Sequence, residues 1–295
     1  NQISEGWNVS ISSILILVSL LIVLPLILVV IISFTSADSI VMNGYSFFPS
    51  EYSIAAYKNL AKTGTQILNS YKVTIFYSFV GTFLSLFVMS MFAYVLAQKR
   101  FPLRRFLTVF TFITMLFSGG LVPSYILNVR YLHLDNTIWV LILPGLVNAF
   151  HIIILRTFIQ TSIPDSLFEA AIIDGATDYS IYFRIVLPLS KAGLATIGLF
   201  GLVGRWNNWF TGMLYIDNPK LVPLQTLLQK IQRNIEFIKS NAEFADTQAG
   251  LELLRSMPTE STRMAITVIA VVPILFAYPF FQRYFIKGLT IGSVK

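Results

Sequence analysis

Arg205-Trp206-Asn207-Asn208-Trp209 stands near the middle of an otherwise apolar run, residues 194–216. A guanidinium at that depth costs several kcal/mol in lipid, so it is expected to face protein or water. The neighbouring residue types are those that handle polyols. A Trp ring offers a flat surface to sugar C–H faces, and an Asn amide both donates to and accepts from hydroxyls. At 3.6 residues per turn, Gly201, Arg205, Asn208, Trp209 and Gly212 share one helical face, and glycine there permits close helix approach. Two readings fit this set: a face lining a carbohydrate pathway, or a group of hydrogen bonds tying helices together.

A second stretch, 169–188, is a polar, helix-prone island between two long apolar segments. Pro164 suits a first helical turn, and Asp165, Ser166 and Glu169 place acceptors and negative charge near a helix N-terminus. Leu167, Ala170 and Ala171 fall at i, i+3 and i+4, a narrow face of small apolar residues. Gly175 fits the left-handed position that ends a helix. Thr177 suits the cap of the next one, whose apolar positions include Ile181, Ile185 and Val186. Leu187-Pro188 then closes the island. A narrow alanine face fits a protein groove, and a glycine elbow can transmit force. The other reading is an amphipathic loop lying on lipid headgroups.

The elements that must position these residues are membrane helices. Of the 295 residues 55% are hydrophobic and only 12% charged, with a mean hydropathy of +0.72, against about 25% charged in soluble domains. Apolar segments at 11–34, 73–97, 106–127, 138–158, 194–216 and 264–285 approach or exceed the roughly 20 residues that span a bilayer. They predict an all-α polytopic fold of six transmembrane helices. Pro25, Gly119-Gly120-Leu121-Val122-Pro123, Pro144-Gly145, Pro273 and Pro279 fall within the segments and mark either bends around a pathway or plain kinks. The first run is too long for a signal peptide and reads as a retained span.

Charge gives the orientation. The 98–105 connection holds Lys99, Arg100, Arg104 and Arg105 and no acid; 159–193 adds Arg184 and Lys191 beside Arg156; the C-terminal end has Arg283, Lys287 and Lys295. These belong in the cytoplasm with both termini. Residues 1–72 then form the first span and an outer connection. Residues 73–285 form the transmembrane core, with a cytoplasmic loop at 159–193 and an outer loop at 217–263, and residues 286–295 form a cytoplasmic tail.

The formal charge of +7 is accounted for by these cytoplasmic clusters, and nucleic acid is not expected as a partner. There is no cysteine, hence no disulfide and no thiolate metal site. His133 and His151 have no metal-ligand spacing and read as loop or helix-packing residues. No Gly-x4-Gly-Lys-Ser/Thr sequence is present to cradle a nucleotide phosphate. No Ser/His/Asp set or carboxylate pair points to an enzyme. The spans hold essentially no carboxylates, which weighs against a gradient-driven secondary transporter. Any energy source is therefore a gradient or a partner.

Glu169-Ala170-Ala171, three residues, Gly175, nine residues, Ile185, one residue, Leu187-Pro188 resembles the EAA coupling loop of bacterial ABC-importer permeases in order and spacing. Further residues resemble the smaller maltose-type carbohydrate permeases, in the oligosaccharide and lipoprotein-type branch. They are Gly119 to Tyr125, Trp206-Asn207-Asn208-Trp209, Pro219 to Gln225, and Lys287 to Lys295. The resemblance covers nearly the whole chain and implies a type I importer permease fold in the bacterial cell membrane. It implies that Glu169, Ala170, Ala171, Asp174, Gly175, Leu187 and Pro188 couple to an ATPase, with residues 288–295 as a second contact. With a carbohydrate cargo, the residues expected on the substrate pathway are Arg205, Trp206, Asn207, Asn208, Trp209, Tyr125 and Asn148. The implied partners are a second, homologous permease, two ATPase subunits, an extracellular solute-binding protein that meets the 217–263 loop, an oligosaccharide and membrane lipid. ATP and Mg would sit on the ATPases, with no cofactor, metal or catalysis in this chain. The family is expected to carry an uncharged residue where Arg205 stands. An arginine there favours an anionic cargo such as a uronate-containing oligosaccharide, through bidentate carboxylate pairing. A non-sugar cargo is the alternative within the same family.

Overall fold

The computed structural model describes residues 5–63, 65–241 and 259–291. Among these the regular structure is helical, as the sequence predicts, and the one β pairing is an isolated bridge between Thr35 and Tyr52. An unbroken apolar run makes a helix that is greasy on every side. α1 (Glu5–Ser33) is such a helix, with its Leu, Ile and Val side chains exposed along most of its length. The short α2 (Ala37–Asn43) and α3 (Ala55–Thr63) follow. α4 (Thr65–Ala97) is the second long helix, and its packed side is built from small and hydroxyl residues such as Ser70, Thr74, Ser78, Gly81 and Thr82. Small residues let helix backbones approach closely.

The third, fourth and fifth apolar segments, 106–127, 138–158 and 194–216, are each broken: the first two at the Gly119–Pro123 and Pro144-Gly145 positions that the sequence marks, the last at an Asn pair where no break was expected. α5 (Arg104–Leu116) stops, and the chain turns by 111° into α6 (Leu121–Ile126) and a π-helical turn, Leu127–Tyr131. Gly120 makes the turn at φ +83°, where a side chain would be strained. α7 (Trp139–Ile142) ends before Pro144, which has no N–H to continue a helix. α8 (Ala149–Ser162) restarts where the Asn148 side chain accepts from the His151 N–H at 3.1 Å. α12 (Lys191–Trp206) ends at Asn207, and α13 (Phe210–Tyr215) begins where the Asn208 Oδ1 accepts from the Thr211 N–H at 3.1 Å. Asparagine competes with the helix for backbone groups, so the Asn pair breaks the segment. Among the described residues two helices are long and apolar enough to cross a membrane, Val9–Ser33 and Thr65–Ala97. There are four if the bent pairs 104–116 with 121–131, and 178–189 with 191–206, each count as one span.

Between α8 and α12 lie α9 (Asp165–Ile173), α10 (Asp178–Ile181), a π-helical turn Tyr182–Val186, and α11 (Leu187–Leu189). After α13 come a 3₁₀ turn, Pro219–Leu221, and α14 (Leu224–Ser240). α15 (Glu260–Ile291) covers the sixth apolar segment. Residues 242–258 of the outer loop and 292–295 of the tail lie outside the described residues.

The chain divides into two compact units. One comprises 1–67 and 228–273. Its core is Ala56, Leu60, Ala265 and Ile266, and Ser261 Oγ donates to the Thr35 carbonyl at 2.7 Å. Arg263 pairs with Glu260 at 2.7 Å, and Tyr45 donates to the same carboxylate at 3.1 Å. The other unit, 68–227 with 274–295, holds the larger core. There Met89, Ala93 and Leu96 of α4 meet Ile152, Leu155 and Ile159 of α8, Ile181 and Val186, and Ile197 of α12. Both groups of residues singled out from the sequence belong to this second unit.

Candidate functional site

The 159–193 connection folds as its residues predict at Gly175 and Thr177, while Pro164 stands at the N-cap with extended backbone, ψ 141°, one residue before the first turn expected of it. Pro164 precedes α9, Asp165 sits in its first turn, and Thr177 caps α10 by accepting from the Ser180 N–H at 3.3 Å. Gly175 adopts φ +74°, and the Gly175 and Ala176 N–H groups donate to the Ile172 and Ala171 carbonyls at 3.0 and 2.9 Å. That is a Schellman ending, which satisfies the last carbonyls of α9.

The small-residue face expected from Leu167, Ala170 and Ala171 is split. Ala171 is buried in the unit's own core, while Glu169, Ala170, Asp174 and Gly175 are exposed. The outward face instead carries Leu167, Ala170 and Ile173, and Ile173 is 85% exposed. Leu187 is half-buried against the core and Pro188 is exposed; the chain bends by 76° around Ser190. Two ion pairs tie the island to the end of α4: Lys99 to Asp165 at 2.5 Å, and Arg100 to Asp178.

The second group surrounds a cavity of about 380 Å³ within the same unit. Thr82, Ser85 and Met89 of α4, Gly145, Asn148 and His151 around the α7–α8 break, and Gly201, Arg205, Asn208 and Thr211 line it. Arg205 is held from three sides. Its Nη2 donates to the Gly145 carbonyl at 2.8 Å, its Nη1 donates to the Gly201 carbonyl at 3.3 Å, and Tyr77 Oη donates to its carbonyl. Gly81 and Gly201 make room for it. A Cβ on Gly81 would meet Arg205 Nε at 2.8 Å, and one on Gly201 would meet Nη1 at 3.2 Å. None of the ion pairs among the described residues involves Arg205. The cavity is therefore an electropositive pocket whose cation, among the described residues, donates to two backbone carbonyls and to no carboxylate. No cluster of metal-ligating side chains is present among the described residues.

The structure brings Arg205, Asn208 and Asn148 together on this cavity and leaves the other expected pathway residues off its wall. Trp206 is buried edge-on against Tyr71, at 5.9 Å between ring centroids. Asn207 is exposed at the end of α12, and Trp209 packs against Phe210 and accepts from Thr226 Oγ1 through its carbonyl. Tyr125, half-exposed, stacks on Tyr215 at 5.6 Å. The single face expected from Gly201 through Gly212 has Arg205 as its last member within α12, because that helix ends at Trp206; Gly212 is buried against Pro223 and Thr226. His151, Thr82, Ser85 and Thr211 were not read from the sequence as site residues. A signal for the α4 wall was present: Ser70, Thr74, Ser78 and Thr82 recur every fourth residue, one polar stripe on an apolar helix.

A family model described as binding-protein-dependent transport system inner membrane component matches residues 89–291, which include the whole 169–188 island. The chain is 39% identical over 282 residues to the polygalacturonan/rhamnogalacturonan transport system permease protein YtcP of Bacillus subtilis (strain 168), covering 95% of each protein. It is 37% identical over 273 residues to Protein LplC of the same organism, covering 92% of this chain and 89% of that one. A crystal structure of a bacterial ABC transporter involved in the import of the acidic polysaccharide alginate superposes with a TM-score of 0.81 at 31% identity, covering 97% of this chain and 99% of that chain. The chain belongs to the binding-protein-dependent transport system inner membrane components, the permeases of ABC transport systems.

Proposed function

We propose that this chain forms half of the translocation pathway of an ATP-driven importer of acidic oligosaccharides in a bacterial plasma membrane. The observation that carries the cargo reading is Arg205, a cation lining a cavity between apolar helices with backbone carbonyls as its polar partners. Such a group is costly unless it serves a pathway or a counter-ion. A uronate carboxylate entering the cavity would replace a carbonyl partner with a bidentate, charge-assisted one. Asn148, His151, Asn208 and Thr82 surround it with hydrogen-bonding groups suited to sugar hydroxyls. Two relatives lend support: one is named for polygalacturonan and rhamnogalacturonan, the other described by import of the acidic polysaccharide alginate. Tyr125 is assigned as a further platform for a sugar face. Trp206, Asn207 and Trp209 are assigned to holding the helix break that presents Arg205.

The chain itself is non-catalytic in this reading. Glu169, Ala170, Asp174 and Gly175 dock on an ATPase subunit, while Ala171 and Leu187 fix the loop against the core and the exposed Pro188 closes it on the coupling side. ATP and Mg are held by two ATPase subunits, and a second permease and a solute-binding protein complete the assembly. Six crossings, α1, α4, α5–α6, α7–α8, α12–α13 and α15, place both termini in the cytoplasm. ATP-driven closure then moves the loop, and the cavity alternates between the two sides of the membrane.

The test is ATP-driven uptake by the reconstituted complex of an oligogalacturonide and of its neutral methyl ester, in wild type, Arg205→Lys and Arg205→Gln. Arg205→Gln should lose uptake of the acid while sparing the ester, and Arg205→Lys should keep part of the preference. An equal loss for both cargoes would sink the assignment.

A further inference from the structure

The coupling helix α9 is flanked by two aspartates, Asp165 in its first turn and Asp178 at the start of α10. Each lies at a helix N-terminus, where negative charge is already favoured. Both reach the same dipeptide beyond the end of α4: Lys99 Nζ meets Asp165 at 2.5 Å, and Arg100 Nη2 meets Asp178. Thus the stretch from 165 to 178, which contains Glu169-Ala170-Ala171 and the Gly175 elbow, is pinned at both ends to one point. All four side chains are more than two-fifths exposed, so these pairs contribute little to the stability of the fold. Their geometry calls for another role.

The contact continues into α4. Tyr94 Oη donates to Asp178 at 3.2 Å, Tyr94 packs against Phe168 of α9 and against Tyr182, and Tyr182 Oη shares a hydrogen bond with Ser90 Oγ at 2.7 Å. From there α4 runs unbroken to Met89, Ser85 and Thr82 on the cavity wall, and to Gly81 and Tyr77 against Arg205. The rise from Thr82 to Ala97 is about 22 Å at 1.5 Å per residue. The covalent route from α9 to the same cavity passes through two short helices, a π-helical turn and a 76° bend. A straight helix transmits a displacement better than a chain of bends.

We infer that Lys99 and Arg100 clamp the coupling helix to α4, so that α4 moves with it and carries the ATPase's motion to the cavity around Arg205. This rests on the permease reading. The four charged residues are positioning residues: they touch neither nucleotide nor cargo.

The test uses the assembled transporter with its ATPases and binding protein in proteoliposomes, measuring cargo taken up per ATP hydrolysed and ATPase retained on purification. Arg100→Asp and Asp178→Arg should each lower uptake per ATP at least about fivefold with the ATPase still bound, and the double swap R100D/D178R should restore most of it. Arg100→Gln, which creates no repulsion, should show the same defect in milder form. The Lys99–Asp165 pair, exchanged in the same way, should behave alike. A wild-type ratio in the single variants, a swap no better than its parents, or loss of the bound ATPase would overturn the clamp. Absence of ATP-dependent uptake by the wild-type complex would instead overturn the transport reading beneath it.

Discussion

Replacing Gly81 with alanine tests the cradle around Arg205. The new Cβ would stand 2.8 Å from Nε, whereas an ordinary carbon contact needs about 3.5 Å. The side chain must therefore withdraw by about 0.7 Å. Directed away from Gly145, that shift lengthens the 2.8 Å bond from Nη2 to its carbonyl toward about 3.5 Å, the edge of hydrogen-bond range. Overpacking of this kind costs about 1–3 kcal/mol, and a hydrogen bond to a charged group is worth about 1.5–3 kcal/mol. Uptake of an acidic cargo should fall about 10- to 150-fold if the guanidinium no longer reaches the carboxylate, at 1.36 kcal/mol per tenfold. Uptake of the neutral ester should change far less. Two controls sit on the same cavity. At Gly201 the added Cβ meets Nη1 at 3.2 Å, which a shift of a few tenths of an ångström relieves, and at Gly204 it meets nothing within 4 Å. The order of damage should be Gly81→Ala, then Gly201→Ala, then Gly204→Ala, in thermal melting of the purified complex and in the acid-to-ester uptake ratio. If Gly81→Ala and Gly204→Ala cannot be told apart in either readout, the cradle does not hold Arg205 and the reasoning fails.

Other expectations concern separate contacts. Tyr77→Phe removes one of two donors to the Arg205 carbonyl, which also accepts from the Asn208 N–H at 3.1 Å, and should destabilise the complex by about 0.5–1.5 kcal/mol in chemical or thermal unfolding; an unchanged melt would mean that the Tyr77 bond contributes nothing. Gly193→Ala drives a Cβ to 2.9 Å from the Phe158 ring and should cost about 1–3 kcal/mol by the same measure, relieved by Phe158→Leu. Gly175 stands at φ +74° in open space. Its alanine variant should therefore lose only about 1–2 kcal/mol from the left-handed conformation, and asparagine, which tolerates that region, should lose less. Ile173→Asp changes a side chain that is 85% exposed; it should leave the melt of the isolated chain unaltered yet reduce the ATPase recovered on co-purification.

Two caps of the coupling loop were legible because each depends on one residue type in a local conformation: Thr177 and Gly175 behave as their chemistry dictates, and Pro164 lies one residue outside the turn expected of it. Ala171 was not, since whether an alanine on α9 faces inward depends on the α4–α8 core beneath it. Hydropathy located the apolar segments, and Gly120 and Pro144 marked two of their breaks in advance, but the break at Asn207 was missed, because segment length alone does not say where a helix ends. Arg205 was conspicuous as a charge in an apolar run, while its partners Gly81, Gly145 and Tyr77 come from segments distant in sequence. His151 was passed over because nothing in its spacing links it to Arg205; the cavity does.

The central claim is that Arg205 receives an acidic group of the cargo inside the membrane. The most direct measurement is a structure of the assembled transporter, arrested with cargo inside and loaded with an oligogalacturonide. The account predicts a carboxylate oxygen within about 3 Å of an Arg205 guanidinium nitrogen, with the bond to the Gly145 carbonyl exchanged. An oligosaccharide bound with every carboxylate far from Arg205, and that residue still on its two carbonyls, would contradict it.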